Sequence, residues 1–349
     1  MNILLIVVLI VVIISLIIYK YKTQHTFWVN HPVMKQYNRS LYKIGQVPRI
    51  RMLISEKYSF KYNDSIDKIY TFINTFFSKE YSINQLLFNY YYTKRGAKNI
   101  SLYKDSFLIG FIHSHDINLI YNKRSFKINY VDYLCVNTNT RNQNIAAILI
   151  SSLLNSHTKD SYYIFKKERS TLPYSPILST DYFYKKIAKV LIKPIENNII
   201  YDIHTHSQKI KQVYSFYIDS LSKYSLYNYD NYEEFYNKYI TLGIVQLFVI
   251  ENNNKIINII IGNKVSYKTY VCFEIDFILG DLNKSQYIHE QLSNILSIYR
   301  CDYYSIVNIG NMYTYIKKNN LYKSYKMYFY TYNINIPLLP KETLMLNMN

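Results

Sequence analysis

Glycine, proline and cysteine are scarce in this sequence, and each shortage excludes something. There are 7 glycines and 7 prolines in 349 residues, and the one loop placed to hold a phosphate has none of the glycines of a nucleotide-binding fingerprint. The 3 cysteines, Cys135, Cys272 and Cys301, are far apart and odd in number. That excludes a disulfide framework and zinc-ligand spacing, and fits reduced thiols in a cytosol-facing protein. No long segment has a disordered composition. The hydrophobic fraction of 49% supports a sizeable core, enough for one large domain or two ordinary ones.

Negative charge is also short. Against 41 Lys and Arg stand 23 Asp and Glu, a net charge of +18, which points to an anionic partner: nucleic acid, a phosphorylated cofactor or an anionic lipid surface. A diffusely basic surface is the alternative reading. The abundance of Tyr (42), Ile, Asn and Lys reads as the codon bias of an AT-rich genome, as in some large DNA viruses.

Charge is absent altogether from Met1 to Tyr19, a run built almost entirely from Ile, Leu and Val. At about 1.5 Å per residue such a helix nearly spans a hydrocarbon core of roughly 30 Å. A signal peptide would need a basic start and a small-residue cleavage site, which are missing. Lys20 and Lys22 follow at once, so the reading is a single-pass membrane anchor over 1–19 with the body on the cytoplasmic side.

Beyond the anchor the pattern is written twice. Residues 23–60 look irregular, broken by Pro32 and Pro48. Helical spacing begins at Asp64 and carries Ile66, Ile69, Tyr70, Ile73, Phe76 and Phe77 on one face. Strand-like runs follow at Phe107–His113, Ile117–Tyr121 and Lys127–Val136, then a helix over about Ile145–Leu154. The second half gives a helix through Ile210, Val213, Tyr214, Tyr217 and Leu221. Strands follow at Val245–Ile250, Ile256–Ile261 and Tyr270–Leu279, and a helix at Gln286–Ile298. A strand at Tyr303–Val307, a short helix and a strand at Lys326–Tyr332 complete it. The fold class expected is therefore α+β, in two units of similar topology.

The stretch from Val131 to Ile150 is the most informative: an apolar strand, a polar loop headed by Arg141, then an apolar helix. Free N–H groups at such a helix start suit a pyrophosphate, although an ordinary strand–loop–helix crossover has the same outline. This stretch resembles the N-myristoyltransferase family, whose strand reads Asn-Phe-Leu-Cys-Val and whose loop reads Arg-Ser-Lys-Arg-Leu-Ala-Pro. Tyr133, Leu134, Cys135 and Val136, then Arg141 to Ala147, keep that spacing. Phe27, Trp28, Pro32, Val33 and Lys35 resemble the family's Phe-Trp-x-Thr-Gln-Pro-Val-Pro-Lys. Leu172 and Pro173, Tyr182 and Phe183, the Tyr270–Ile275 strand and the Tyr332-Asn333 pair also have counterparts, so the likeness covers nearly the whole chain after the anchor.

The resemblance implies two fused acetyltransferase-like (GNAT) units preceded by a transmembrane helix: an anchor over 1–19, an acyl-CoA-binding half over 20–192 and an acceptor half over 193–349. It implies myristate transfer from myristoyl-CoA as co-substrate to an N-terminal glycine amine of a peptide or protein. The backbone amides of Tyr133 and Leu134 would then hold the oxyanion, and the C-terminal carboxylate of Asn349 would take the amine's proton. Phe27, Trp28, Val136, Arg141, Gln143, Asn144, Ile145, Ala146 and Ala147 would hold CoA.

Several positions depart from the family. Gln143 and Asn144 replace a Lys and an Arg, removing two phosphate-facing charges. Asp132 replaces an Asn that places the substrate amine. Lys167 falls, without a gap, where the family has a Thr near that amine, either repelling an ammonium or pairing with Asp132. The second reading is accordingly a degenerate fold kept as a lipid- or acyl-peptide-binding or structural membrane protein. The pairs His113/His115 and His204/His206 put histidines on one strand face but have no third ligand beside them, so no metal is expected. No nucleic-acid module is recognised.

Overall fold

The computed structural model describes residues 3–24, 41–45, 57–77, 81–141, 143–187 and 198–346. Helix α1 (Ile3–Gln24) comes first. Its described side chains, Ile6 to Ile17, are all exposed. Among the described residues no helix is long and apolar enough to cross a membrane. The structure therefore does not support the spanning helix expected over 1–19. Most of the segment expected to be irregular, along with Phe27, Trp28, Asn349 and the expected 192/193 boundary, lies outside the described residues.

Seventeen strands are formed by the described residues. Those of the first half are β1 (Tyr42–Lys43), β2 (Tyr58–Tyr62), β3 (Tyr81–Ser82), β4 (Lys98–Lys104), β5 (Phe107–Tyr121), β6 (Arg124–Val136), β7 (Tyr163–Glu168) and β8 (Leu178–Lys186). The second half has β9 (Asn198–Asp202), β10 (Leu226–Tyr229), β11 (Gln246–Asn252), β12 (Lys255–Tyr267), β13 (Val271–Gly280), β14 (Tyr303–Val307), β15 (Tyr322–Tyr332), β16 (Ile334–Asn335) and β17 (Leu344–Met345). The helices after α1 are α2 (Ile66–Phe76), α3 (Gln85–Thr93), α4 (Ile145–Ser156), α5 (Ile210–Leu221), α6 (Tyr232–Tyr236), α7 (Ser285–Ile298) and α8 (Met312–Lys318).

A glycine-poor chain must turn its hairpins by other means. Asp105 and Ser106 join β4 to β5, Asn122 and Lys123 join β5 to β6, and Asn253 and Asn254 join β11 to β12, all with φ between +45° and +69°. These two-residue loops need positive φ at both positions, and Asn and Asp tolerate it best after glycine. Helices start by similar means: the Asn84 side chain accepts from the Leu86 and Leu87 amides at the head of α3. On α2 the buried face is Ile69, Phe72 and Ile73; Ile69 and Ile73 belong to the predicted stripe, while Phe77 is exposed.

Fifteen of the strands form one sheet. In the first half β4, β5 and β6 make an antiparallel meander, α4 crosses over, and β7 returns parallel to β6. In the second half β11, β12 and β13 make the same meander, α7 crosses over, and β14 returns parallel to β13. Each half then sends its last strand across: β15 pairs with β7, β8 pairs with β14, and β8 and β15 pair with each other. This mutual exchange makes the sheet continuous, with no free edge at the join to open.

Two expectations need correction. The runs Phe107–His113 and Ile117–Tyr121 are one fifteen-residue strand, β5, because the polar residues between them keep their places in the β6 ladder. His204 and His206 sit in a 3-10 turn over Ile203–Lys209, where the Asp202 carboxylate caps the His204 amide.

Candidate active site

The parallel strands β6 and β7 are paired only at Asn129–Tyr163 and Tyr130–Ile164, then part. Just past the parting, Tyr133 and Leu134 of β6 oppose the single residue Ile112 of β5. The bulge puts Tyr133 at φ +50°, a conformation rare for an aromatic residue and one that re-aims the local amides. Packing holds it there: the Tyr133 ring lies 5.3 Å from Phe88, edge to face, and 6.0 Å from His113.

Behind the bulge is a buried polar wall. Asn99 donates to the Tyr92 carbonyl at 2.9 Å, so its carbonyl oxygen accepts from His113 Nδ1 at 2.7 Å. His113 Nε2 then accepts from His115 Nδ1 at 3.1 Å. His115 stacks on Tyr91 at 4.4 Å. Burial pushes the His113 imidazolium down to about 3, and burial with neighbouring positive charges lowers His115 as well. Both rings are therefore neutral at ordinary pH. Among the described residues no group of three or more His, Cys, Asp or Glu is placed to hold a metal.

The opening leads to a cavity of about 610 Å³ where the two halves meet. Its charged lining is three acids, Asp132, Glu168 and Glu274, against two bases, Lys166 and Arg169. In a chain of net charge +18 that is a local inversion of sign. Tyr182, Tyr184, Tyr267, Tyr270, Tyr303 and Tyr325 contribute aromatic faces. Burial raises the Asp132 carboxyl, opposed by Lys166 and by the hydrogen bond from the Tyr133 amide. Burial likewise raises Glu274, opposed by Lys166 and by hydrogen bonds from Tyr267 and Tyr182. Two carboxyls are thus tuned toward proton exchange nearer neutrality and face one space.

The structure divides the residues named from the sequence. Asp132 and Tyr133 line the cavity. The Tyr133 amide already donates to Asp132 Oδ1 at 2.8 Å, so one of the two proposed oxyanion donors is engaged by the residue beside it; Leu134 is 37% exposed. Val136 ends β6. Arg141 is exposed and reaches the Phe76 carbonyl at 3.4 Å, and Gln143 and Asn144 are exposed. Asn144 takes a left-handed conformation without capping α4 through its side chain, so the first-turn amides at Ile145–Ala147 receive no bond from it. None of Val136, Arg141 and Gln143–Ala147 lines the cavity.

Lys167 does not line the cavity. Its ammonium donates to Ser170 Oγ at 2.6 Å, while its neighbour Lys166 lines the cavity and acts on both Asp132 and Glu274. Strand alternation makes a one-residue difference in register a change of face. Glu274, Asn263 and Tyr267 were not singled out from the sequence. Their signal is faint: Glu274 is an acid between Phe273 and Ile275 on β13, and Asn263 and Tyr267 stand at alternate positions in the more polar end of β12.

No family model and no curated protein matches the sequence. Among solved structures the chain is similar to Saccharomyces cerevisiae N-myristoyltransferase with bound myristoyl-CoA. One such structure has a TM-score of 0.73 at 11% identity over 90% of this chain and 93% of that one. A second gives 0.74 at 12%, over 91% and 90%. A third, with myristoyl-CoA and inhibitors, gives 0.73 at 11%, over 91% and 92%. The fold is therefore N-myristoyltransferase-like from one end of the match to the other; identity this low speaks to fold alone.

Proposed function

We propose that this chain is an N-acyltransferase that moves myristate from myristoyl-CoA to the N-terminal glycine amine of a peptide or protein. The observation that carries the reading is the near-complete fold likeness to an N-myristoyltransferase solved with myristoyl-CoA bound. The strand parting and bulge at Tyr133 and Leu134 support it, since a thioester carbonyl laid beside re-aimed amides finds donors for its developing oxyanion. In this proposal residues 20–192 take the acyl-CoA and 193–349 face the acceptor. Arg141 and the first-turn amides of α4 hold the CoA phosphates. The uncharged run over residues 1–19 and the exposure of Ile6–Ile17 support a hold on a membrane, with the body on its cytoplasmic side.

The direct test is incubation of the purified chain with radiolabelled myristoyl-CoA and Gly-initiated peptides. Transfer is the expected result; absence of both transfer and CoA binding by calorimetry overturns the reading. Flotation with liposomes, compared with a chain starting at Lys20, tests the membrane hold. A second reading, acyl-peptide binding without turnover, is favoured by one observation: the Asp132 carboxylate occupies the Tyr133 amide. Binding of myristoylated peptide with no transfer would select it.

A further inference from the structure

Across the β12–β13 ladder Asn263 and Glu274 are direct register partners, and both line the cavity. Asn263 is only 4% exposed, and its side-chain carbonyl oxygen is buried with no hydrogen-bond partner among the described residues. An orphaned buried acceptor is destabilising by about 1–3 kcal/mol unless something outside the protein satisfies it. Beside it, Glu274 Oε1 accepts from the Tyr267 hydroxyl at 3.0 Å, and Tyr182, which also reaches Ser305 Oγ at 2.5 Å, bonds the same carboxyl. The pair offers an unsatisfied amide carbonyl oxygen and a carboxylate, two acceptors whose complement is a cationic group with several N–H donors. Of the other two cavity carboxyls, Glu168 is exposed and Asp132 already accepts from the Tyr133 amide through Oδ1.

On the reading of the chain as an acyl-CoA-dependent acyltransferase, we infer that Glu274 and Asn263 seat the acceptor's primary ammonium, with Glu274 taking its proton. The ammonium gives one proton to the Glu274 carboxylate and becomes a neutral amine. Its nitrogen lone pair forms the C–N bond at the thioester carbonyl. The C–S bond breaks as the tetrahedral intermediate collapses, and the nitrogen's surplus proton leaves with the thiolate as free thiol. The products are amide, CoA thiol and a protonated Glu274 that returns its proton to water. This places proton acceptance on a side chain of the second half, where the family resemblance points to the carboxylate of Asn349.

The test uses the full chain with myristoyl-CoA and a Gly-initiated hexapeptide, and follows peptide binding by calorimetry separately from transfer. Glu274→Gln keeps the shape and the tyrosine contacts; it is expected to lower kcat by at least about 100-fold while leaving myristoyl-CoA binding unchanged. Asn263→Leu is the sharper variant. Removing a partnerless acceptor leaves thermal stability equal or higher, yet weakens peptide binding by roughly tenfold. A purely structural Asn263 would leave peptide binding unmoved. Transfer in the wild type with both variants at the wild-type rate and affinity overturns this inference and leaves the acyltransferase reading standing. Peptide binding that depends on both residues in a chain that transfers nothing supports the amine seat and overturns the acyltransferase reading. A wild type that binds no peptide overturns the amine seat.

Discussion

The third strand of each meander carries a one-residue bulge at the point where it leaves its parallel partner, and the two bulges face different chemistry. In β6 the bulge sits at Tyr133 and Leu134, and Tyr133 lines the cavity. In β13 the extra residue is Asp276, with Ile261 and Gly262 opposing Phe277 and Ile275. Asp276 acts electrostatically on Lys238, a lysine only 4% exposed that pairs with Asp230 at 3.3 Å and lies over the rings of Tyr91 and Tyr239. Burial works against the Lys238 ammonium, but Asp230, Tyr239, Tyr91 and Asp276 together outweigh it and hold the group above its ordinary range. One topological device thus lies beside the cavity in the first half and beside a buried charge pair in the second. The two halves share a backbone path and differ in the side chains placed on it.

Lys238 is where the comparison breaks most heavily. Lys238→Met leaves Asp230 without its ion-pair partner and is expected to cost about 3–5 kcal/mol, read as a shift in chemical denaturation midpoint. No change would show that charge does not hold the second bulge. Next comes Gly262, beside that bulge, where an added Cβ would lie 2.3 Å from the Glu274 carbonyl oxygen. Gly262→Ala should destabilise by about 1–3 kcal/mol and lower transfer, because the strand bearing Glu274 must give way. Retained activity with full stability would separate the bulge from the site.

In the first half, neutralising the carboxylate beside the Tyr133 amide should help an oxyanion form there. Asp132→Asn is expected to raise kcat about tenfold, worth about 1.4 kcal/mol; a fall in kcat would mean that Asp132 serves the acceptor instead. The smallest effect concerns the histidine wall. Its folded-state pKa values lie below the ordinary 6.5, reaching about 3 for His113, so the unfolded chain binds more protons below that value. Stability is full above pH 6.5 and declines as pH falls toward 3. His113→Gln should flatten that decline in thermal melts across pH 7 to 4, and an unchanged slope would place the acid sensitivity elsewhere.

Much of the fold was legible because burial writes itself as periodicity. The strand Tyr303–Val307 and the helices beginning near Ile66, Ile145 and Ser285 stand within a residue or two of where spacing puts them. The strand β4 and the helix α3 were not read, since Lys98–Lys104 mixes polar residues into a buried run and Gln85–Thr93 has no clean apolar stripe. The strand exchange was not legible at all, because nothing local tells β8 and β15 to cross between halves. Of the site, the bulge residues Tyr133 and Leu134 stood out through a resemblance in linear order. Lys166, which lines the cavity, was not singled out, because which of two neighbouring strand residues faces the cavity is set by the ladder register.

What the sequence by itself determined are the properties that depend on neighbours along the chain. These are the uncharged apolar run at the start, two rounds of meander, helix and strand, and asparagine turns in place of glycine. The tertiary structure alone decided which carboxyls share a cavity, that Asp132 engages the Tyr133 amide, and that Asn263 faces Glu274 with its carbonyl unsatisfied. The physical reason is that desolvation and hydrogen-bond pairing act through space, and the register between strands distant in sequence sets both.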